Sequence, residues 1–175
     1  LVTATFAADD FLLRKDWEER EGRLINESAL SVSNLDAAVL SVVSPTDFLV
    51  ASTLLSRYYI KVQGGEAVSC KKKDVLHLSL REYEKYADQL TDGFIQAASF
   101  LKGQRIFAAR DLPYSTQLIP LSVLFAILGN KVHDGTIKEK ISRWYWCGVF
   151  GEMYGGANET RYANDVTGVM DWLNG

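Results

Sequence analysis

Histidine and cysteine are scarce in this chain, with two of each: His77, His133, Cys70 and Cys147. Residues so few and so widely spaced assemble no zinc-ligand pattern and no disulfide framework. No metal or cofactor is expected, and two distant thiols fit a reducing, cytoplasmic setting. A surplus of positive charge is also lacking. The formal net charge of −3 excludes the whole-domain positive field of a dedicated nucleic-acid binder, though not a local basic patch. Long apolar runs are missing too. The longest, Leu118 to Gly129, falls short of the roughly 20 residues that cross a bilayer and contains Pro120, so no membrane partner is expected. The opening LVTATFAADDF has no basic start followed by an apolar signal core. It begins on Leu1, as a piece cut from a longer protein would. Alternating strand patterns, internal repeats and a linker able to divide two domains are absent as well, so a single helical domain over 1–175 is expected.

What is present is helix. A composition 47% hydrophobic and 23% charged over 175 residues is that of an ordinary globule. A chain of this size buries roughly 70% of its unfolded surface without staples. In SPTDFLVASTLLSRYYIKV, Ser44 is a cap, Pro45 suits the first helical position and Asp47 completes a capping box. Phe48, Ser52, Leu55, Tyr59 and Val62 then repeat at helical spacing, and Gly64 and Gly65 end the run. A second capping box, Ser79 with Glu82, opens a helix whose apolar face is Tyr83, Tyr86, Leu90, Phe94, Ala97 and Leu101, stopped by Gly103. Phe6 to about Ile25 reads as a helix with Phe11, Leu12, Trp17 and Leu24 inward. Asn26 to Val43 fits either a short helix or a strand. Pro120 either kinks the helix around it or delays its start. Helices are also expected over Ile137 to Tyr154 and over about Asn158 to Leu173, with Tyr162, Val166, Val169 and Leu173 on one face. VQGGEAVSCKKKDV reads as the most loop-like segment. The sum is an all-α compact bundle of about six or seven helices.

The densest chemistry lies in SRWYWCGVFGEMYGGANETRYANDV, where Trp144, Tyr145, Trp146, Phe150 and Tyr154 fall within eleven residues. A helix apolar nearly all round is buried mid-domain. These five rings are therefore assigned to the structural core, with Gly148 and Gly151 permitting close helix approach. The competing reading has Trp146 or Tyr154 stacking a base while Arg143 or Arg161 meets a phosphate. Gly155 and Gly156 read as a helix–helix turn, since GGANET lacks the lysine of a phosphate loop. Arg161 and Asp165 are spaced to pair. Lys71, Lys72 and Lys73, joined by Arg57 and Lys61, are the candidate nucleic-acid-binding residues; they would contribute salt-dependent contacts to phosphates. Cys70 beside these cations is expected to have a lowered pKa. His77 and His133 stand in no motif, and a self-contained enzyme would need a polar pocket built from residues such as Glu152, Arg161 and His133. No nucleophile elbow, metal-binding helix or catalytic triad is spelled out, so no catalytic residue is assigned.

Five stretches, in order, resemble the middle helical region of a bacterial family of unknown function that includes the GmrSD-type modification-dependent restriction endonucleases. They are FAADDFLLRKDWEER (Phe6 to Arg20), TDFLVASTLLSRY (Thr46 to Tyr58), VSCKKKDVLHL (Val68 to Leu78), DLPYSTQLIPLSVLFAILG (Asp111 to Gly129) and RWYWCGVFGEMYGGANETRYANDV. The resemblance implies flanking domains: a ParB-like N-terminal domain with an Asp-Gly-Gln-Gln-Arg motif, and in some members a His-Asn-His-like C-terminal domain. Neither motif occurs in these residues, so no catalytic position carries over. What the resemblance implies is a helical, non-catalytic scaffold or interaction segment. Its partners would be the flanking domains of a parent protein acting on DNA in phage defence, with direct DNA contact as the alternative.

Overall fold

The computed structural model describes residues 2–29, 37–156 and 159–175. Among them lie eight α-helices: α1 (Val2–Ala7), α2 (Leu13–Ser28), α3 (Pro45–Val62), α4 (Lys72–Leu76), α5 (Leu80–Gly103), α6 (Leu118–Leu128), α7 (Gly135–Phe150) and α8 (Glu159–Asn174). The all-α bundle is as expected. The count exceeds six or seven because α1 is separate from α2 and because the lysine-rich segment, expected as loop, forms the short α4.

Both capping boxes form. The Asp47 amide donates to Ser44 Oγ and the Glu82 amide to Ser79 Oγ, while each acid accepts from the cap amide in return. At the end of α3, Gly64 takes a left-handed φ of 89°, which a residue without Cβ adopts freely. All six residues of the expected α5 face are buried. On α3 the stripe runs out early, and Val62 is exposed.

The centre of the bundle is α6, not α7. Every α6 residue except Ile127 is buried, and the helix packs against α5, α3 and α8. By length and composition the span Ser115–His133 is apolar enough to cross a membrane, yet it is 67% buried inside the fold. Pro120 sits in the first turn of α6, where its missing N–H has no helical partner to lose. It therefore marks a delayed start rather than a kink. A 3-10 turn, Ser115–Gln117, leads into it. Where α5 crosses α6, a Cβ placed on Gly93 would lie 2.5 Å from the Ser122 carbonyl oxygen and 2.8 Å from Ala126 Cβ. Only a bare Cα lets the two backbones come so close.

The N-terminal helix is broken where continuity was expected. Asp10 takes a φ of 59°, and the chain restarts at Leu13. The restart rotates the register, so Leu13 and Trp17 are buried and Leu12 is exposed, contrary to its expected inward position. The described residues of Asn26 to Val43 form neither a single helix nor a strand. The α2 helix runs on to Ser28, a 3-10 turn occupies Val39–Val42, and Ala38 makes an isolated bridge to Ala108; 30–36 lie outside the described residues.

Candidate functional site

The aromatic segment divides three ways as it leaves the sequence and enters the fold. Asp134 caps α7, its side chain accepting from the Ile137 amide, and the helix buries Ile141, Tyr145 and Gly148 against the core. Tyr145 is 1% exposed, its ring edge-on to Phe100. Trp144 and Trp146 are half-buried on opposite flanks. Phe150 is 80% exposed, stacked at 5.7 Å on Trp146. The core assignment therefore fails for Phe150 and holds only in part for the two tryptophans. The reason is geometric. The α7 helix lies at the edge of the bundle and buries one face, whereas α6 is enclosed.

Tyr154 is buried by a different device from helix continuation. The α7 helix stops at Phe150, and Glu152 takes a φ of 52° while the Met153 amide bonds back to the Gly148 carbonyl at 3.0 Å. This turn folds the Tyr154 ring under α7. A Cβ on Gly148 would meet Tyr154 Cε2 at 3.0 Å, so the absent side chain is what admits the ring. Tyr154 donates its hydroxyl to Asp165, which also pairs with Arg161 at 3.4 Å. Burial, then the Asp165 carboxylate, push the Tyr154 hydroxyl far up in pKa. The predicted Arg161–Asp165 pair thus exists, and it serves a buried tyrosine.

On its outer flank Trp144 lines an open groove of about 330 Å³ between α7 and α8, together with Arg143, Asp165, Gly168 and Trp172. Trp146 and Tyr154 are not in its lining. Gly168 and Trp172 are four apart on α8, which places them on one face, and that spacing was the legible signal for the groove. Trp172 is 41% exposed and lies under Lys140 Nζ, which is 5.3 Å from the ring. On its inner flank Trp146 donates Nε1 to Gln104 Oε1 at 2.8 Å, and Ser142 Oγ donates to the same oxygen. Gln104 at the end of α5 thereby anchors the platform that carries Phe150, a role nothing in the sequence pattern marks.

The basic residues are not a uniform patch. Arg57 is turned to α5, where it pairs with Glu82 at 3.7 Å. Lys61 is exposed at the last turn of α3. Lys71 caps α4, and Lys72 and Lys73 stand exposed on that helix, which packs against α3. Asp74 lies among them and accepts from Ser69 Oγ and the Lys71 amide.

Cys70 is fully buried, its thiol directed at the Glu159 carbonyl. Burial, with Glu159 and Asp74 adding, pushes it up to about 12, the reverse of the lowered value expected from neighbouring lysines. Desolvation outweighs cations that point to solvent. His133 lines a separate cleft beside α5 whose lining includes neither Glu152 nor Arg161, so those three do not form one polar pocket there. His77 is exposed, its Nδ1 against the Lys73 carbonyl oxygen.

The chain is similar to an uncharacterized protein of Methanocaldococcus jannaschii, 37% identical over 41 residues, which is 23% of this chain and 7% of that protein. No family model matches the chain, and no solved structure matches it. A likeness over so small a share of either protein assigns no family.

Proposed function

We propose that this chain is a non-catalytic helical scaffold and interaction domain of a larger protein, of the modification-dependent restriction and phage-defence type that its sequence resembles. In that role it couples the parent's flanking domains in a reducing, cytoplasmic setting. The observation that carries the reading is the aromatic edge at the end of α7. Phe150 is 80% exposed on a tryptophan fixed by Gln104, and Met153, 45% exposed, follows in the next turn. Large apolar side chains held rigidly in water mark surfaces that are covered in the working assembly. The test is Phe150→Asp in the parent protein. Loss of protease-resistant association between domains is expected, with the unfolding free energy of the 175-residue chain changed by no more than about 0.5 kcal/mol. Undiminished association, or a gene encoding no neighbouring domain, defeats the reading.

A second reading has the chain contact DNA phosphates through Arg57, Lys61, Lys71, Lys72 and Lys73. It is favoured by Lys72 and Lys73, which are exposed on α4 and form no ion pair among the described residues. Duplex binding would then weaken steeply with salt. Lys72→Glu with Lys73→Glu would reduce the magnitude of the log–log salt slope by about two. An unchanged slope excludes this role for them.

A further inference from the structure

Two positions on separate surfaces hold a residue that the fold by itself would replace. The first is Leu12, at the cap position of α2. Serine, aspartate or asparagine would satisfy an orphan amide of the first turn there, and leucine cannot. Leu12 is also 66% exposed. Its turn is held in place: Phe11 packs edge-on against Phe6 and Tyr83, and the Phe11 amide donates to the Phe6 carbonyl. Asp9 and Asp10 stand exposed in the same turn and form no ion pair among the described residues. This corner is an apolar knob beside two uncompensated carboxylates. The second position is Gly168, inside α8. Glycine weakens a helix interior. Gly93 and Gly148 offset that by admitting Ser122 and Tyr154, yet a Cβ on Gly168 would meet nothing within 4 Å. Gly168 lines the α7–α8 groove with Trp144 and Trp172, so its missing side chain serves the groove rather than the packing. A local rule broken with no gain to the fold marks a working surface. The uncompensated charge at this groove is positive. Asp165 is taken up by Arg161 and the Tyr154 hydroxyl, whereas Arg143 is exposed and forms no ion pair among the described residues. The α7 helix carries Lys138, Lys140 and Arg143 against Glu139 alone, in a chain whose net charge is −3.

We propose that the α7–α8 groove receives the Leu12 knob of a second copy of this chain. Leu12 enters beside Gly168 and the two indoles, and the carboxylates of Asp9 and Asp10 face Arg143. Two features on the page select that occupant: opposite uncompensated charges, and an exposed leucine matched by a hollow of about 330 Å³ that the chain leaves unfilled. Knob and groove are different surfaces, so the contact is head-to-tail. Each copy that joins still offers a vacant knob or a vacant groove, and the assembly extends with concentration. One leucine anchor makes the contact weak and transient. Phe150 lies outside the groove lining, so failure of this contact would leave the scaffold reading untouched.

The test is a mixing experiment read by amide and indole NMR. A groove-only chain, Leu12→Ser, is labelled with nitrogen-15, and a knob-only chain, Gly168→Gln, is not. Each substitution suits its place, a serine at a cap and a helix former where nothing blocks a Cβ, so both chains should fold at least as stably as the original. On mixing, saturable shifts at Arg143, Gly168 and Trp172 are expected, and sedimentation should show a closed pair of 19.6 kDa chains. The unaltered chain should instead grow beyond a pair as its concentration rises. Two groove-only chains should not respond to each other. Arg143→Glu in the groove-only chain should weaken binding roughly fivefold, and Asp9→Lys in the knob-only chain should recover most of that loss. No shifts on mixing, equal shifts between two groove-only chains, shifts centred on Phe150, or a charge reversal without recovery would overturn the proposal. So would a groove that ignores the knob-only chain yet responds to the peptide acetyl-Glu-Glu-Leu-Glu-Glu-amide, which would assign it to a different acidic partner.

Discussion

Tyr145 and Phe150 are five apart on one helix and differ in exposure by 1% against 80%. Truncating them should therefore have opposite consequences. Tyr145→Ala is expected to cost about 3–5 kcal/mol by denaturant unfolding, through lost burial and the cavity left behind. Phe150→Ser should stay within about 0.5 kcal/mol. Tyr145→Phe separates ring from hydroxyl: that oxygen is buried without a partner, so its removal should cost little or stabilise. The two cysteines make a parallel contrast. Cys147 is exposed, while Cys70 is buried with its thiol pushed up to about 12. A disulfide reagent at mildly alkaline pH should titrate one thiol at once and the second only on unfolding; two fast equivalents would contradict the burial of Cys70. At this scale the sequence spoke clearly for Tyr145, Tyr154 and the α5 stripe. It misplaced Leu12, where the helix breaks and restarts at Leu13, and it misplaced Val62 and Phe150, because period alone says which residues share a face but not how far along a helix the core extends.

At the scale of elements, the crossing of α5 and α6 makes the most exacting demand. Glycine to alanine inside a helix normally stabilises by about 0.5–1 kcal/mol. At Gly93 the sign should reverse, since the new Cβ would stand 2.5 Å from the Ser122 carbonyl oxygen and backbones cannot yield cheaply. A net loss of about 1–3 kcal/mol is expected from unfolding curves, and a stabilised Gly93→Ala would refute the close approach. The start of α5 supplies a pH-dependent counterpart. Burial alone would raise the Glu82 carboxyl, but hydrogen bonds from the Ser79 amide and hydroxyl and from Ser56, with Arg57 beside it, hold it below the usual carboxylate value. A depressed folded pKa gives stability that is present above the unfolded value, about 4.3, and lost as pH falls through the folded one. Ser79→Ala should cost about 1 kcal/mol near neutrality and flatten that acid-side loss, as measured by unfolding free energy against pH. The capping boxes were plain in the sequence because both halves are local. The α5–α6 contact was not, because nothing local tells Gly93 from a surface glycine.

For the whole molecule, buried phenols set the alkaline limit. Burial pushes Tyr145 and Tyr162 up to about 12, with nearby carboxylates adding at Tyr162. Unfolded tyrosines titrate near 10. A raised folded pKa means the contribution is whole below the unfolded value and is lost as pH climbs from about 10 toward about 12. Phenolate absorbance should thus rise in two steps: exposed tyrosines first, then a cooperative step coincident with loss of helical circular dichroism. A single smooth titration with the fold intact would argue against these burials. The amino-acid sequence by itself determined the helical class, the caps and the inward stripes, since each rests on contacts within a few residues. Which helix lies at the centre, where Phe150 emerges, and that Cys70 is shielded from solvent beside its lysines were decided only by the tertiary structure. Burial and desolvation depend on what distant segments bring up against a residue, and no local pattern encodes that neighbour.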